Sequence, residues 1–354
     1  MSRLLKENYQ KLEAYIPGEQ PKDGEYIKLN TNESPFPPSP RVLDALKRED
    51  IENLRLYSDP TMSALREKLA QLYDVKSENI YLSNGSDDIL NFVFMGFSQN
   101  GAVFPDITYG FYSVFSELHG VDYKEIPLTE DFRVNYKDYI NKDKLIVIAN
   151  PNAPTGDCLG VWEIEEIVMN NPDNLVVIDE AYIDFGGESC YPLTKKYDNL
   201  LVVRTFSKSR CMAGARLGYA IGPKGIIEDL EKLKYSTNPY NINRLTATLG
   251  EATVESEDYY LKTSEEIIRV REYTAKKLIE SGFEVLPSKA NFLFARSNKI
   301  SGEKLYQELK ARHILVRHFT NPKIEMFNRI TIGTQEQMDI LLGAIEEILN
   351  GGTK

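Results

Sequence analysis

Between about Asn79 and Gly222 the chain alternates short apolar runs with segments of helical period. The runs are "NIYLS", "GAVF", "DYKEI", "KLIVIAN", "NLVVIDE", "NLLVVRT" and "LGYAIG". Several carry no polar alternation, the pattern of strands covered on both faces in a parallel sheet. The intervening "SDDILNFVFMGFS" and "VWEIEEIVMN" place apolar residues three and four apart and predict helices. Strand and helix in alternation define an α/β layered domain. After "NPYNINRLTATL" a long helical stretch runs to Ser281, interrupted near Glu255–Asp258 and stopped by Gly282. The rest reads strand ("FEVLP"), strand ("NFLFARS"), helix ("GEKLYQELKARH"), strand ("ILVRHF"), strand ("NRITIGT"), helix ("QMDILLGAIEEIL"), a small α+β unit.

Ahead of the first run lies "NTNESPFPPSP", whose prolines predict an extended, semi-rigid arm. It leads into a helix with Ser39 as N-cap and Pro40 at the first helical position. The expected division is an arm over 1–40 packed near the small domain, a large domain over 41–255 and a small domain over 256–354.

Composition narrows the function classes. The 354 residues carry 42 basic and 53 acidic side chains, so 42 − 53 = −11, and no basic block of five or more stands out. Phosphate-backbone binding needs clustered Lys and Arg, so nucleic acid is not an expected partner. The apolar runs fall short of the roughly 20 residues a membrane span needs. The opening "MSRLLKENYQKLEAY" lacks an apolar signal region. Cys158, Cys190 and Cys211 form neither C-x-x-C nor an even framework, so reduced thiols and a cytoplasmic location are expected. His119, His313 and His318 have no metal-ligand spacing, and no metal site is expected.

Open α/β sheets bind ligands at the carboxyl ends of their strands. "IYLS" is followed by Asn84-Gly85-Ser86-Asp87 and a helix, so free N–H groups at a helix start offer a cradle for a phosphate or a plain N-cap. Neither G-x-G-x-x-G nor G-K-[ST] occurs. "LIVIA" runs into the stiff turn "NPNAPTG", Asn150 to Gly156. "LVVI" ends in Asp179, and a carboxylate at the end of a buried strand requires a cationic partner. "LLVVRT" is followed by Ser207-Lys208, with Arg216 eight residues on in "AGARLGY". Taken alone, Lys208 reads as a side chain snorkelling to water. Together the cradle, aspartate, Tyr182, lysine and arginine suit one ligand, a phosphorylated pyridine aldehyde: Lys208 would form a Schiff base with the aldehyde and Asp179 would hold the ring nitrogen.

"NPNAPTG", "DEAY" and "SK" with Arg216 in "AGARLGY" resemble the fold-type I pyridoxal-phosphate aminotransferases. "LNTNESPFPPSP", "AYIPG", "YSDPTMSALREKLA", "NGSDD", "FPDITYGFY", "ANFLFAR" and "NRITIGT" are similar to the histidinol-phosphate aminotransferase branch, over nearly the whole chain. The resemblance implies an α/β/α sandwich on a mostly parallel seven-stranded sheet, a smaller C-terminal domain, and a homodimer. It implies pyridoxal 5′-phosphate as cofactor, with Lys208 as covalent anchor and proton shuttle, Asp179 on the ring nitrogen, Tyr182 on the ring hydroxyl and Tyr109 on the ring face. Gly85, Ser86, Asp87, Thr205, Ser207 and Arg216 would hold the phosphate, joined by Tyr57 from across a dimer interface. Arg329 would grip the substrate anion, with Tyr15, Asn32 and Arg317 lining the same pocket. The chain departs from the family at Ala153, where relatives carry Asn; Asn152, Asn150 or Tyr182 alone is left for that contact. Arg210 stands either near the phosphate or in solvent, and Cys211 reads as an apolar filler.

The implied reaction converts histidinol phosphate and 2-oxoglutarate to imidazole-acetol phosphate and glutamate by a two-stage mechanism. Two rivals share the same core, an aromatic amino-acid aminotransferase and a threonine-phosphate decarboxylase. A non-enzymatic ligand-sensing module is the reading from another class; such modules carry a DNA-binding domain, for which the early start of the α/β pattern leaves no room.

Overall fold

The computed structural model describes residues 4–6, 9–12, 17–21 and 24–351; Tyr15 lies outside the described residues. After a short strand β1 (Ile27–Lys28), seven strands form the large sheet: β2 (Ile80–Ser83), β3 (Ala102–Pro105), β4 (Tyr123–Ile126), β5 (Leu145–Ala149), β6 (Val176–Asp179), β7 (Leu200–Thr205) and β8 (Gly218–Ile221). Each of the seven apolar runs supplies one of them. Their order across the sheet is β2-β8-β7-β6-β5-β3-β4, parallel throughout except that β8 runs antiparallel to both neighbours.

The missing alternation has a direct cause. Val147, Val177 and Val203 pack on one side of the sheet against helices Ser86–Gly96 and Phe111–His119. Ile146, Ile148, Val176, Ile178 and Val202 pack on the other against helix Val161–Met169. Both faces of every central strand are therefore apolar, and the sheet is the middle layer of an α/β/α sandwich.

The C-terminal part holds a second sheet of β9 (Phe283–Val285), β10 (Phe292–Ser297), β12 (Arg317–His318) and β13 (Phe327–Thr331), in the order β12-β13-β10-β9. Strand β11 (Ile314–Leu315) pairs instead with β1, in parallel, which fastens the N-terminal arm here. The run "ILVRHF", expected as one strand, is thus two. Its first half pairs with the arm and its second with β13, and Val316 between them is buried in the core. Helices Gly302–Ala311 and Gln335–Leu349 cover this unit. The helical break expected near Glu255–Asp258 separates Arg244–Val254 from Glu257–Glu280, and Gly282, at φ +90°, ends the second. Ser39 caps its helix by accepting from Val42 N–H at 3.3 Å.

Candidate active site

Strand register assembles the site. Gly218, at the start of the antiparallel β8, lies opposite both Ser83 and Thr205, the last residues of β2 and β7. The segments leaving those strands, Gly85-Ser86-Asp87 and Ser207-Lys208, therefore emerge side by side with Arg216. Asp179 ends β6 opposite Ala149 and Val203. A cavity of about 650 Å³ opens at this edge, lined by Ser86, Asp87, Tyr109, Asp179, Tyr182, Thr205, Ser207, Lys208 and Arg216. Pro17, Thr31, Tyr109, Tyr182 and Lys208 also line a second cavity of about 460 Å³, whose far wall carries Arg317 and Arg329. The two cavities are neighbours, and Lys208 lines both.

The close approach of backbones here demands glycine. Gly85 has φ +85°, and a Cβ there would sit 2.7 Å from Arg216 Nη2. A Cβ on Gly218 would meet backbone atoms, Gly85 C at 2.4 Å and Ser86 N at 2.5 Å. Gly218→Ala is accordingly expected to lower stability by about 1–3 kcal/mol through overpacking, read as a lower denaturant midpoint. An unchanged midpoint would show that the cradle has slack.

The polar groups converge on the first cavity. Ser86 and Asp87 open helix Ser86–Gly96, whose first-turn N–H groups have no helical acceptor. Arg216 donates to Ser207 Oγ at 3.3 Å and to Asp87 Oδ2 at 3.3 Å, and Thr205 Oγ1 donates to Ser207 Oγ at 3.0 Å. Tyr109 Oη donates to Asp87 Oδ1 at 2.7 Å, which fixes its ring in the cavity wall. Lys208 Nζ donates to the Thr31 carbonyl at 3.2 Å and lies 5.7 Å from the Tyr182 ring centre. Tyr182 Oη accepts from Asn32 Nδ2 at 2.9 Å. Thr31 and Asn32 belong to the arm, so the arm forms part of the wall.

Asp179 is buried. It accepts from Tyr112 Oη at 3.0 Å and from Ala181 N–H at 3.2 Å, and these partners among the described residues are both neutral. Burial pushes its carboxyl up to about 6, and the negative fields of Asp87 and Glu180 add to the rise. A folded-state value above the unfolded 3.8 means that this group costs stability as pH rises through that interval. A cation beside Asp179 removes the cost. The donor set therefore fits pyridoxal 5′-phosphate: a buried carboxylate in want of a cation for the ring nitrogen, an anion cradle for the phosphate, and a lysine between them.

Three expected residues stand apart from this wall. Asn152 does not reach it: its side chain donates to the Ile107 carbonyl and Thr155 Oγ1 and accepts from Thr108. Asn150 is likewise committed, to both backbone groups of Leu159. Ala153 lines the cavity, and of the residues expected at the ring hydroxyl Tyr182 is the one that lines it too. Tyr57 does not line its own chain's cavity; it is 78% exposed and stacks on Tyr240 at 4.4 Å between ring centres.

Arg210 fits neither expectation. It is buried and bonded to Glu257 at the start of helix Glu257–Glu280, where the Asp184 carboxylate also neutralises it. Cys211 is half-buried and donates to Ser34 Oγ at 3.1 Å, so it is a polar contact to the arm and no mere filler. Ser209 bonds Asp184, which also pairs with the buried Arg204. This charged network lies behind Lys208 and fixes the backbone that carries it.

The sequence profile of the family described as "Aminotransferase class I and II" matches residues 24–345. A histidinol-phosphate aminotransferase of Brachyspira hyodysenteriae is 51% identical over 99% of this chain and 99% of its own. One of Clostridium beijerinckii is 43% identical over 100% and 99%. Among solved structures, the histidinol-phosphate aminotransferase of Clostridium acetobutylicum superposes with a TM-score of 0.86 at 27% identity, over 92% of this chain and 99% of that one. That of Sinorhizobium meliloti, in complex with pyridoxal-5′-phosphate, shares the fold with a TM-score of 0.89 at 23% identity, over 100% and 99%. The chain belongs to the class I and II aminotransferase family, among its histidinol-phosphate aminotransferases.

Proposed function

We propose that the chain transfers the amino group of histidinol phosphate to 2-oxoglutarate, with pyridoxal 5′-phosphate as cofactor. The observation that carries the substrate reading is the far wall of the second cavity. Arg317 and Arg329 are directly opposite each other on β12 and β13, and both face the cavity. Two guanidinium groups on one wall suit an anionic substrate group, because their planar donors match the geometry of a phosphate or a carboxylate. Arg329 is held in place by the Asn30 carbonyl at 3.0 Å and by the faces of Phe292 and Phe319.

When bound, the cofactor supplies an aldehyde that captures the substrate amine and a protonated ring that draws off electrons left at the α-carbon. The rest falls to the protein. The cradle at Ser86, Asp87, Ser207 and Arg216 orients one end of the space, and Arg329 with Arg317 orients the other. Lys208, which lines both cavities, would take the proton from the donor α-carbon and hand it to the cofactor carbon within the same half of the cycle, and would run that transfer in reverse for the acceptor. Asp179 holds the ring nitrogen's proton, and Tyr182, oriented by Asn32, meets the ring hydroxyl. The arm residues Pro17 and Thr31 line both cavities, and beside a bound substrate they would limit water access.

We further read the molecule as a homodimer. Tyr57 and the preceding Leu43, Leu46, Ile51, Leu54 and Leu56 are all exposed, a concentration of apolar side chains in one stretch of chain that suits an interface. From there it reaches the phosphate of a second copy. Co-expressed Lys208→Ala and Tyr57→Ala chains are expected to form mixed dimers in which one of the two sites is intact. Recovered activity in the mixture checks this; activity no greater than the sum of the separate variants would refute the shared site.

The function itself is tested by supplying histidinol phosphate, tyrosine, phenylalanine and threonine phosphate in turn. Rapid turnover of histidinol phosphate with 2-oxoglutarate is expected. Turnover of the aromatic amino acids alone, or carbon dioxide release from threonine phosphate, would assign the chain to another branch chemistry.

A further inference from the structure

We propose that Tyr112, a residue outside the cavity wall, is a positioning residue of the reaction: its hydroxyl sets the orientation and charge of Asp179. The inference rests on the cofactor reading above.

Tyr112 lies in the first turn of helix Phe111–His119 and is fully buried. Its ring is locked by Phe94 at 6.2 Å, Phe104 at 5.7 Å and, edge-on, Tyr109 at 5.7 Å. The hydroxyl can therefore point in one direction, at Asp179 Oδ2, 3.0 Å away. Ala181 N–H takes the other oxygen at 3.2 Å. Both carboxylate oxygens are thus pinned, and the carboxylate plane is fixed before any ligand arrives. The remaining lone pairs face the cavity.

The contact also governs charge. Burial drives Tyr112's own proton loss well above the ordinary tyrosine range, and the Asp179 charge reinforces this, so Tyr112 is always the donor. The groups that face Asp179 from other elements are unfavourable to a second negative charge. Asp87 comes from helix Ser86–Gly96 and is shared with Arg216 and Tyr109; Glu180, next along the chain, is buried against Arg204. Against burial and these fields, the hydrogen bonds from Tyr112 and Ala181 are what favour the ionised carboxylate. Only the ionised form can pair with a protonated ring nitrogen. Without the Tyr112 hydroxyl, Asp179 takes up a proton at higher pH.

The test is a binding titration of the full chain with pyridoxal phosphate and with its 1-deaza analogue, which has carbon in place of the ring nitrogen. Tyr112→Phe keeps the ring packing and removes one oxygen. Wild-type protein should bind the natural cofactor less well as pH falls, and Tyr112→Phe should show that loss at higher pH. At pH 7 the variant should bind pyridoxal phosphate about tenfold more weakly, the worth of one hydrogen bond to a charged group, while its affinity for the deaza analogue stays at the wild-type value. In an Asp179→Asn background Tyr112→Phe should change neither affinity, because there is no charge left to set.

Equal weakening of both ligands would reduce Tyr112 to a packing residue and overturn the inference. So would an unchanged affinity and pH profile for pyridoxal phosphate. Wild-type protein that bound neither ligand would instead overturn the cofactor reading, and this inference with it.

Discussion

Lys208→Ala is expected to lower turnover by about 10⁴-fold or more, the upper range for removing a positioned proton-transfer group. The loss is large because two functions fall on one side chain. Lys208 is the amine that reaches the cavity where the phosphate cradle and Asp179 converge, and it is also the base within reach of a substrate held between Arg329 and the cofactor. The variant should still fold. Its backbone is fixed by Ser209 on Asp184 and by Arg204 and Arg210 behind it, and none of these contacts uses the lysine. The lost Nζ contact is a hydrogen bond to the Thr31 carbonyl in a half-open site. Absorbance of the protein mixed with cofactor checks the anchoring role, and single-turnover kinetics check the proton transfer. A variant that kept the wild-type absorbance band, or most of its rate, would show that Lys208 neither anchors the cofactor nor moves the proton.

The second large effect is expected at Arg329. Arg329→Ala should lower kcat/KM for histidinol phosphate by about 10²-fold, the loss of a charge-assisted bidentate contact to an anion. Some binding survives because Arg317 lies directly opposite and remains. The half-reaction with glutamate should weaken too, since one anion site serves both substrates. Arg329→Lys keeps the charge but not the fork and should lie between. A loss confined to one of the two substrates would mean separate anion sites. Unchanged kinetics would place substrate recognition elsewhere.

Much of this was legible from residue order, for identifiable reasons. A strand buried on both faces leaves an uninterrupted apolar run, and each of the seven runs became a strand of the large sheet. Function in such a sheet gathers where strands end, so a charged residue closing an apolar run is informative: Asp179 after "LVVI", Lys208 after "LLVVRT". What stayed hidden depends on side-chain direction or on distant partners. The turn "NPNAPTG" announces a tight loop but not which way Asn152 points, and Asn152 turns inward to Thr108 and Thr155. Arg210 finds its acceptor at Glu257, far along the chain, so no local spacing betrays the pair. The break at Val316 arises because β1 and β13 compete for adjacent pieces of one apolar run. Tyr112 carried a signal, a second tyrosine three residues after Tyr109, but among 21 tyrosines that is faint.

The proposed site moves an amino group from histidinol phosphate in two separable stages. The most direct measurement supplies the cofactor-loaded protein with histidinol phosphate and no keto acid, then adds 2-oxoglutarate after removal of small molecules. One equivalent of imidazole-acetol phosphate per site is expected in the first stage, with the amino group retained by the protein, and one equivalent of glutamate in the second. No keto product in the first stage, or ammonia set free there in its place, would contradict it.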